Sequence, residues 1–164
     1  MNTRRFALLF VLLLLSTAAL AQSTAQKSFE QLKTLAGSWD GTLEGQALHV
    51  SLRVTSSGNA LMHEMRGAGP DDPITMVHLD GDRLILTHYC DAGNQPRMAA
   101  TISPDGRTIV FDFVEATNLL SSQHGHMQRV TFNFIDADHH TEKWEFAMAG
   151  GKQMGGLLDL KRTK

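Results

Sequence analysis

From residue 38 to the end of the chain, apolar and polar side chains alternate with a period of two. Turn-forming residues break the alternation at short intervals. Asp80-Gly81 and Asp105-Gly106 are hairpin signals of the type I′ kind, and Ser57-Gly58-Asn59 is a looser version. Gly67 to Pro73, Asp91 to Pro96, Asp136 to His139 and Gly150-Gly151-Lys152 mark the other breaks. Ten strands lie between them: 38–45, 47–56, 60–66, 74–80, 83–90, 97–103, 108–116, 127–136, 140–149 and 154–162. One helix precedes them. Phe29, Leu32, Leu35 and Ala36 share a face, Ser28 and Gln31 have capping-box spacing, and Gly37 reads as the stop.

A short hairpin fixes which residues stand opposite each other, so each turn predicts a facing. With Ser57-Gly58 as the turn, Val54 meets Leu61, Leu52 meets His63 and Val50 meets Met65. With Asp105-Gly106, Ile102 meets Ile109, Ala100 meets Phe111 and Met98 meets Phe113. In the last hairpin Met148, Phe146 and Trp144 are set against Met154, Gly156 and Leu158, with Gly156 leaving room for Phe146. Arg53, Asp112, Lys143 and Glu145 fall on the other face. Short connections make a meander, and closing it removes two exposed edges. The expected fold is therefore all-β: an antiparallel up-and-down barrel of about ten strands with a short N-terminal helix.

The first 21 residues have a different character. Arg4 and Arg5 precede an apolar run from Phe6 to Leu15, and Ala19-Leu20-Ala21 fits a cleavage site. The expected organisation is a signal peptide at 1–21, a flexible lead-in at 22–27 and one domain at 28–164. That implies a periplasmic or secreted protein. The chain has 15 Lys+Arg against 17 Asp+Glu, and loss of Arg4 and Arg5 leaves it more acidic, which argues against nucleic acid as a partner. No later apolar run has the length of a membrane span. Cys90 is the single cysteine, so no internal disulfide forms; it is expected as a buried small hydrophobe.

Leu35-Ala36-Gly37-Ser38-Trp39-Asp40-Gly41 resembles the opening of calycin barrels, where a helical segment runs into a strand bearing G-x-W. The resemblance implies that Trp39 closes the barrel floor between Gly37 and Gly41, with a cation from Lys161 or Arg162 stacked over it. Helix, G-x-W-x-G and ten strands are more similar to nitrobindin-like and fatty-acid-binding-like barrels than to eight-stranded lipocalins. The block from Thr87 to Met98 also resembles uncharacterised exported bacterial proteins of calycin type. Nitrobindin resemblance would imply haem held by a histidine on the last strand. Here that strand reads Met154 to Leu160 without one, so no cofactor is expected and haem is the alternative.

The candidate site follows from the inward positions. His63 shares a face with Val50 and Leu52, and His88 with Leu84 and Leu86. Met65, Met98, Phe111, Phe113, Phe132 and Trp144 complete an apolar wall with few polar points, the composition of a small-molecule pocket. Tyr89, Asn94, Gln95 and Arg97 form the densest hydrogen-bonding group, with Arg97 suited to an anion. His124-Gly125-His126 would need further ligands to hold a metal, the nearest in sequence being His139 and His140 across a hairpin, and it reads instead as a polar loop rim, beside Leu119 and Leu120 as a lid or as packing. There is no G-x-S-x-G, no H-E-x-x-H and no glycine-rich phosphate loop, so nothing selects an enzymatic reaction. The function expected is an exported protein holding a small, largely apolar molecule inside the barrel. A haem or metal protein and a cell-envelope interaction module with a filled barrel are the alternatives.

Overall fold

A computed structural model describes residues 22–67, 72–121 and 124–163; the proposed signal peptide lies outside them. The order is α1 (Thr24–Lys33), β1 (Gly37–Leu43), β2 (Gln46–Thr55), β3 (Ala60–Arg66), β4 (Ile74–Asp80), β5 (Arg83–Tyr89), β6 (Gln95–Ile102), β7 (Thr108–Thr117), β8 (His126–Asp136), β9 (His139–Ala147) and β10 (Gln153–Arg162). The strands form one closed antiparallel barrel in which sequence neighbours pair and β10 returns to β1. The expected fold class is the observed one.

Two hairpins have the predicted register: Val54↔Leu61, Leu52↔His63 and Val50↔Met65 in the first, Ile102↔Ile109, Ala100↔Phe111 and Met98↔Phe113 in the second. The last hairpin keeps its faces but is shifted by two residues. Phe146 stands opposite Met154, Trp144 opposite Gly156, and Glu142 opposite Leu158. The cause is a five-residue connection through a 3₁₀ turn, in which Gly150 adopts a left-handed φ of 77°. The space left by Gly156 is taken by Leu43 rather than Phe146.

The helix also starts earlier than the Ser28 capping box implies. Its N-cap is Ser23, whose hydroxyl accepts from Gln26 N at 3.1 Å. Ser23 and Gln26 have the same S-x-x-Q spacing one turn upstream, so residues 24–27 are helical and Ser28 is buried within the helix. The helix ends at the Thr34 cap, three residues before Gly37. Gly37, with φ 137°, instead turns the chain into β1.

One end of the barrel is solid. Arg162 lies over the Trp39 ring at 4.2 Å and donates to Ala36 O, Thr34 O and Ala137 O. The indole Nε1–H donates to Leu35 O at 2.8 Å. Of the two cations expected there, Arg162 is the one used. Its fork reaches several carbonyls at once, which a lysine point charge cannot do. Above this floor Leu52, Leu61, Leu86, Met98, Phe111 and Phe132 are buried and in contact.

The β1–β10 seam is registered only at Trp39↔Arg162 and Asp40↔Lys161, next to the floor. Gly41 makes that approach feasible, because a Cβ there would overlap the backbone of Asp159. Gly41→Ala is accordingly expected to destabilise the barrel by about 1–3 kcal/mol, as overpacking does. Urea unfolding measures it, and an unchanged midpoint would mean that the seam tolerates separation.

Candidate functional site at the barrel mouth

The C-terminal ends of β1, β3, β5, β7 and β9 point to the end opposite the floor, as the antiparallel meander requires. A cavity of about 910 Å³ opens there. Its wall is apolar, built from Leu43, Met65, Met127, Trp144, Phe146 and Leu158, with Met148 and Met154 at the rim. Beyond the floor-end seam β1 and β10 have no paired register, and both Leu43 and the Met154–Gly156 stretch border the cavity. Among the described residues the polar side chains on its wall are Glu44, His88, Asp91 and Gln153, together with the Cys90 thiol.

Behind Trp144 lies a buried polar cluster centred on Glu142. Its Oε2 accepts from His63 Nε2 at 2.9 Å and from the Trp144 indole N–H at 2.9 Å. Its Oε1 accepts from His140 Nε2 at 3.0 Å. Glu142 and His140 are fully buried and His63 is 1% exposed. Burial opposes ionisation of Glu142, but the charge on His63 and the hydrogen bonds from His140 and His63 outweigh it and hold the carboxyl well below its ordinary range. His140 also stands edge-on to Trp39 at 4.3 Å, so the cluster joins the floor to the cavity wall.

His88 sits apart from that cluster and faces the cavity. Thr75 Oγ1 is 2.8 Å from its Nδ1, and the Trp144 ring is 5.4 Å away. Burial, reinforced by the nearby charge of His63 and opposed by Asp91, lowers its pKa to about 4. An unfolded histidine is protonated below about 6.5, whereas His88 in the barrel stays neutral down to about 4. Stability from this group is complete above pH 6.5 and is lost as pH falls toward 4, by roughly 3 kcal/mol at most. His88→Leu is expected to flatten that slope of unfolding free energy between pH 7 and 4. An unaltered slope would place the acid sensitivity elsewhere.

The residues singled out in the sequence divide into five groups. Met65, His88 and Trp144 line the cavity. His63 belongs to the Glu142 cluster. Met98, Phe111 and Phe132 are core rather than wall, 0–1% exposed, and Phe113 packs on that core and on the His126 ring at 4.3 Å. Tyr89 and Arg97 are on the outer face: Tyr89 is 51% exposed, and Arg97 pairs with Glu115 at 2.9 Å. They alternate with the inward His88 and Met98, so strand geometry turns them out. Asn94 is buried and donates to Gly125 O, while Gln95 bonds Thr117, so the expected polar group is not one site.

Cys90 is half-buried at the cavity edge rather than in the core. Its thiol pKa is raised by burial. His124 and His126 bond Ser121 and Gln128, and no cluster of three or more metal-ligating side chains occurs among the described residues. The sequence reading missed Glu142, and considered His140 only as a reserve metal ligand rather than as its partner. The signal was the same alternation: two and four residues before Trp144 are inward positions.

No protein-family model matches the chain, and no curated protein matches it. Solved structures do. The structure of Rv2717c from M. tuberculosis is 16% identical, with a TM-score of 0.54 over 84% of this chain and 98% of that one. A protein of unknown function from the DUF3598 family of Nostoc punctiforme is 12% identical, with a TM-score of 0.55 over 81% of this chain and 49% of that one. At these identities the likeness is one of fold.

Proposed function

We propose that this chain is an exported, calycin-like binding protein that holds a small, largely apolar molecule in the mouth of its barrel. The observation that carries the reading is the cavity of about 910 Å³ with a wall of Leu, Met, Phe and Trp. That volume suits a drug-sized or short lipid-like molecule, and such sites combine an apolar wall with a few placed polar groups. The solid floor and the Glu142 cluster give the cavity a fixed inner end. Export to the periplasm or beyond rests on the leader-like residues 1–21, and N-terminal sequencing of the native protein tests it.

The binding test uses N-phenyl-1-naphthylamine, an uncharged fluorophore. Its emission is expected to rise and saturate near one equivalent, and the bound probe is expected to slow maleimide labelling of Cys90 at the cavity edge. No rise with this or other apolar probes, together with unchanged labelling, overturns the reading.

A further inference from the structure

We infer that the cavity selects a ligand with an uncharged hydrogen-bond acceptor, such as an ester or amide carbonyl, seated on His88 Nε2 at its inner end, and rejects the carboxylate of the same chain length. The inference rests on the binding reading and deepens it.

Thr75 sets the tautomer of His88. It is 1% exposed, and among the described residues its hydroxyl meets one partner, Nδ1 of His88 at 2.8 Å. A buried hydroxyl left without an acceptor is costly, so the O–H donates to Nδ1. In a neutral imidazole the proton then resides on Nε2. Burial keeps the ring neutral until about pH 4. His88 forms part of the cavity wall, and Thr75 is its one hydrogen-bond partner among the described residues. It therefore offers the cavity an N–H donor without a charge.

The remaining charges set the sign. Among the described residues the ionisable carboxyls on the wall are Glu44 and Asp91, both at the mouth. Among the described residues no lysine or arginine lines the cavity. Arg66 and Arg97 are engaged elsewhere, with Glu64 and Glu115. Ionised Glu142 lies behind Trp144, satisfied by its own donors. A ligand carboxylate would pass two like charges and lose its water with no cation to replace it. A carbonyl loses far less and recovers a hydrogen bond.

The test is displacement of N-phenyl-1-naphthylamine at pH 7.5 by methyl dodecanoate and by dodecanoate. The ester is expected to compete about tenfold better or more, given the cost of an unpaired charge. Because His88 lines the cavity, the readout for His88→Leu is the ratio of ester to fluorophore affinity, which is expected to fall about fivefold, the worth of one neutral hydrogen bond. Thr75→Val, which frees Nδ1 and with it the proton position, is expected to weaken the ester in the same direction. If dodecanoate competes as well as the ester, or if His88→Leu leaves the ratio of ester to fluorophore affinity unchanged, the head-group assignment is wrong and the binding reading stands. If the fluorophore does not bind the unaltered protein, both fall.

Discussion

Glu142→Ala is expected to cost about 3–5 kcal/mol of folding stability, the range for removing one member of a buried charged set. The size comes from what is left behind. Three donors, on His63, His140 and Trp144, converge on this carboxylate, and none of the three reaches bulk water easily. The His140 Nδ1 already lacks a partner among the described residues, so deletion of Glu142 leaves that ring with neither nitrogen satisfied. Glu142→Gln keeps the shape and one good acceptor but turns an NH₂ toward a donor, so a smaller loss of about 1–3 kcal/mol is expected. Denaturant unfolding of the two variants measures both. A loss below about 1 kcal/mol for Glu142→Ala would mean that solvent reaches the cluster, as it does in a surface pair.

Trp39→Ala is expected to destabilise the barrel by about 3–5 kcal/mol, as truncation of a large buried aromatic does. Trp39 is fully buried and bridges three parts of the structure. Its indole N–H holds Leu35 O, its face carries Arg162, and its ring meets His140 edge-on. The alanine variant leaves Arg162 over an empty floor and exposes the inner side of α1, whose Phe29 and Leu32 join the same core. Thermal or urea unfolding reads the effect, and a change near zero would remove Trp39 as the barrel plug. The cavity lies at the opposite end, so whatever fraction stays folded is expected to bind apolar probe.

Period-two alternation and tight turns made the architecture legible, because both are local. Two hairpins could be registered residue by residue, since their turns leave one pairing that puts every apolar side chain on one face. The β9–β10 register was not legible, because the Met148 to Lys152 connection contains a 3₁₀ turn whose length two glycines do not declare. The floor was legible only through the resemblance of Gly37-Ser38-Trp39 to calycin openings, which implied a cation from Lys161 or Arg162 over the indole; Arg162 is the one found there.

The site was harder to read for a reason that is also physical. Inward Glu142 offends the rule that strand interiors are apolar, and becomes tolerable only when His63, 79 positions away in sequence, closes on it. Nothing local announces that meeting. Tyr89 and Arg97 showed the converse error: a dense polar stretch suggests a site, but alternation sends its members to opposite faces. The division between a filled floor half, with Met98, Phe111 and Phe132, and a hollow mouth half depends on how the strands are staggered. Composition is the same in either case.

The mouth half of this barrel is open and apolar while the rest is packed. The methionines report on it directly. Met65, Met127, Met148 and Met154 border the cavity, Met98 is buried in the core, and Met62 and Met76 pair on the outer face. In a methionine-methyl NMR spectrum, titration with an uncharged apolar ligand is expected to shift the four cavity methyls at one equivalent and to leave Met62, Met76 and Met98 in place. Shifts centred on Met62 and Met76, or no shift at the cavity methyls under saturating ligand, would contradict the account.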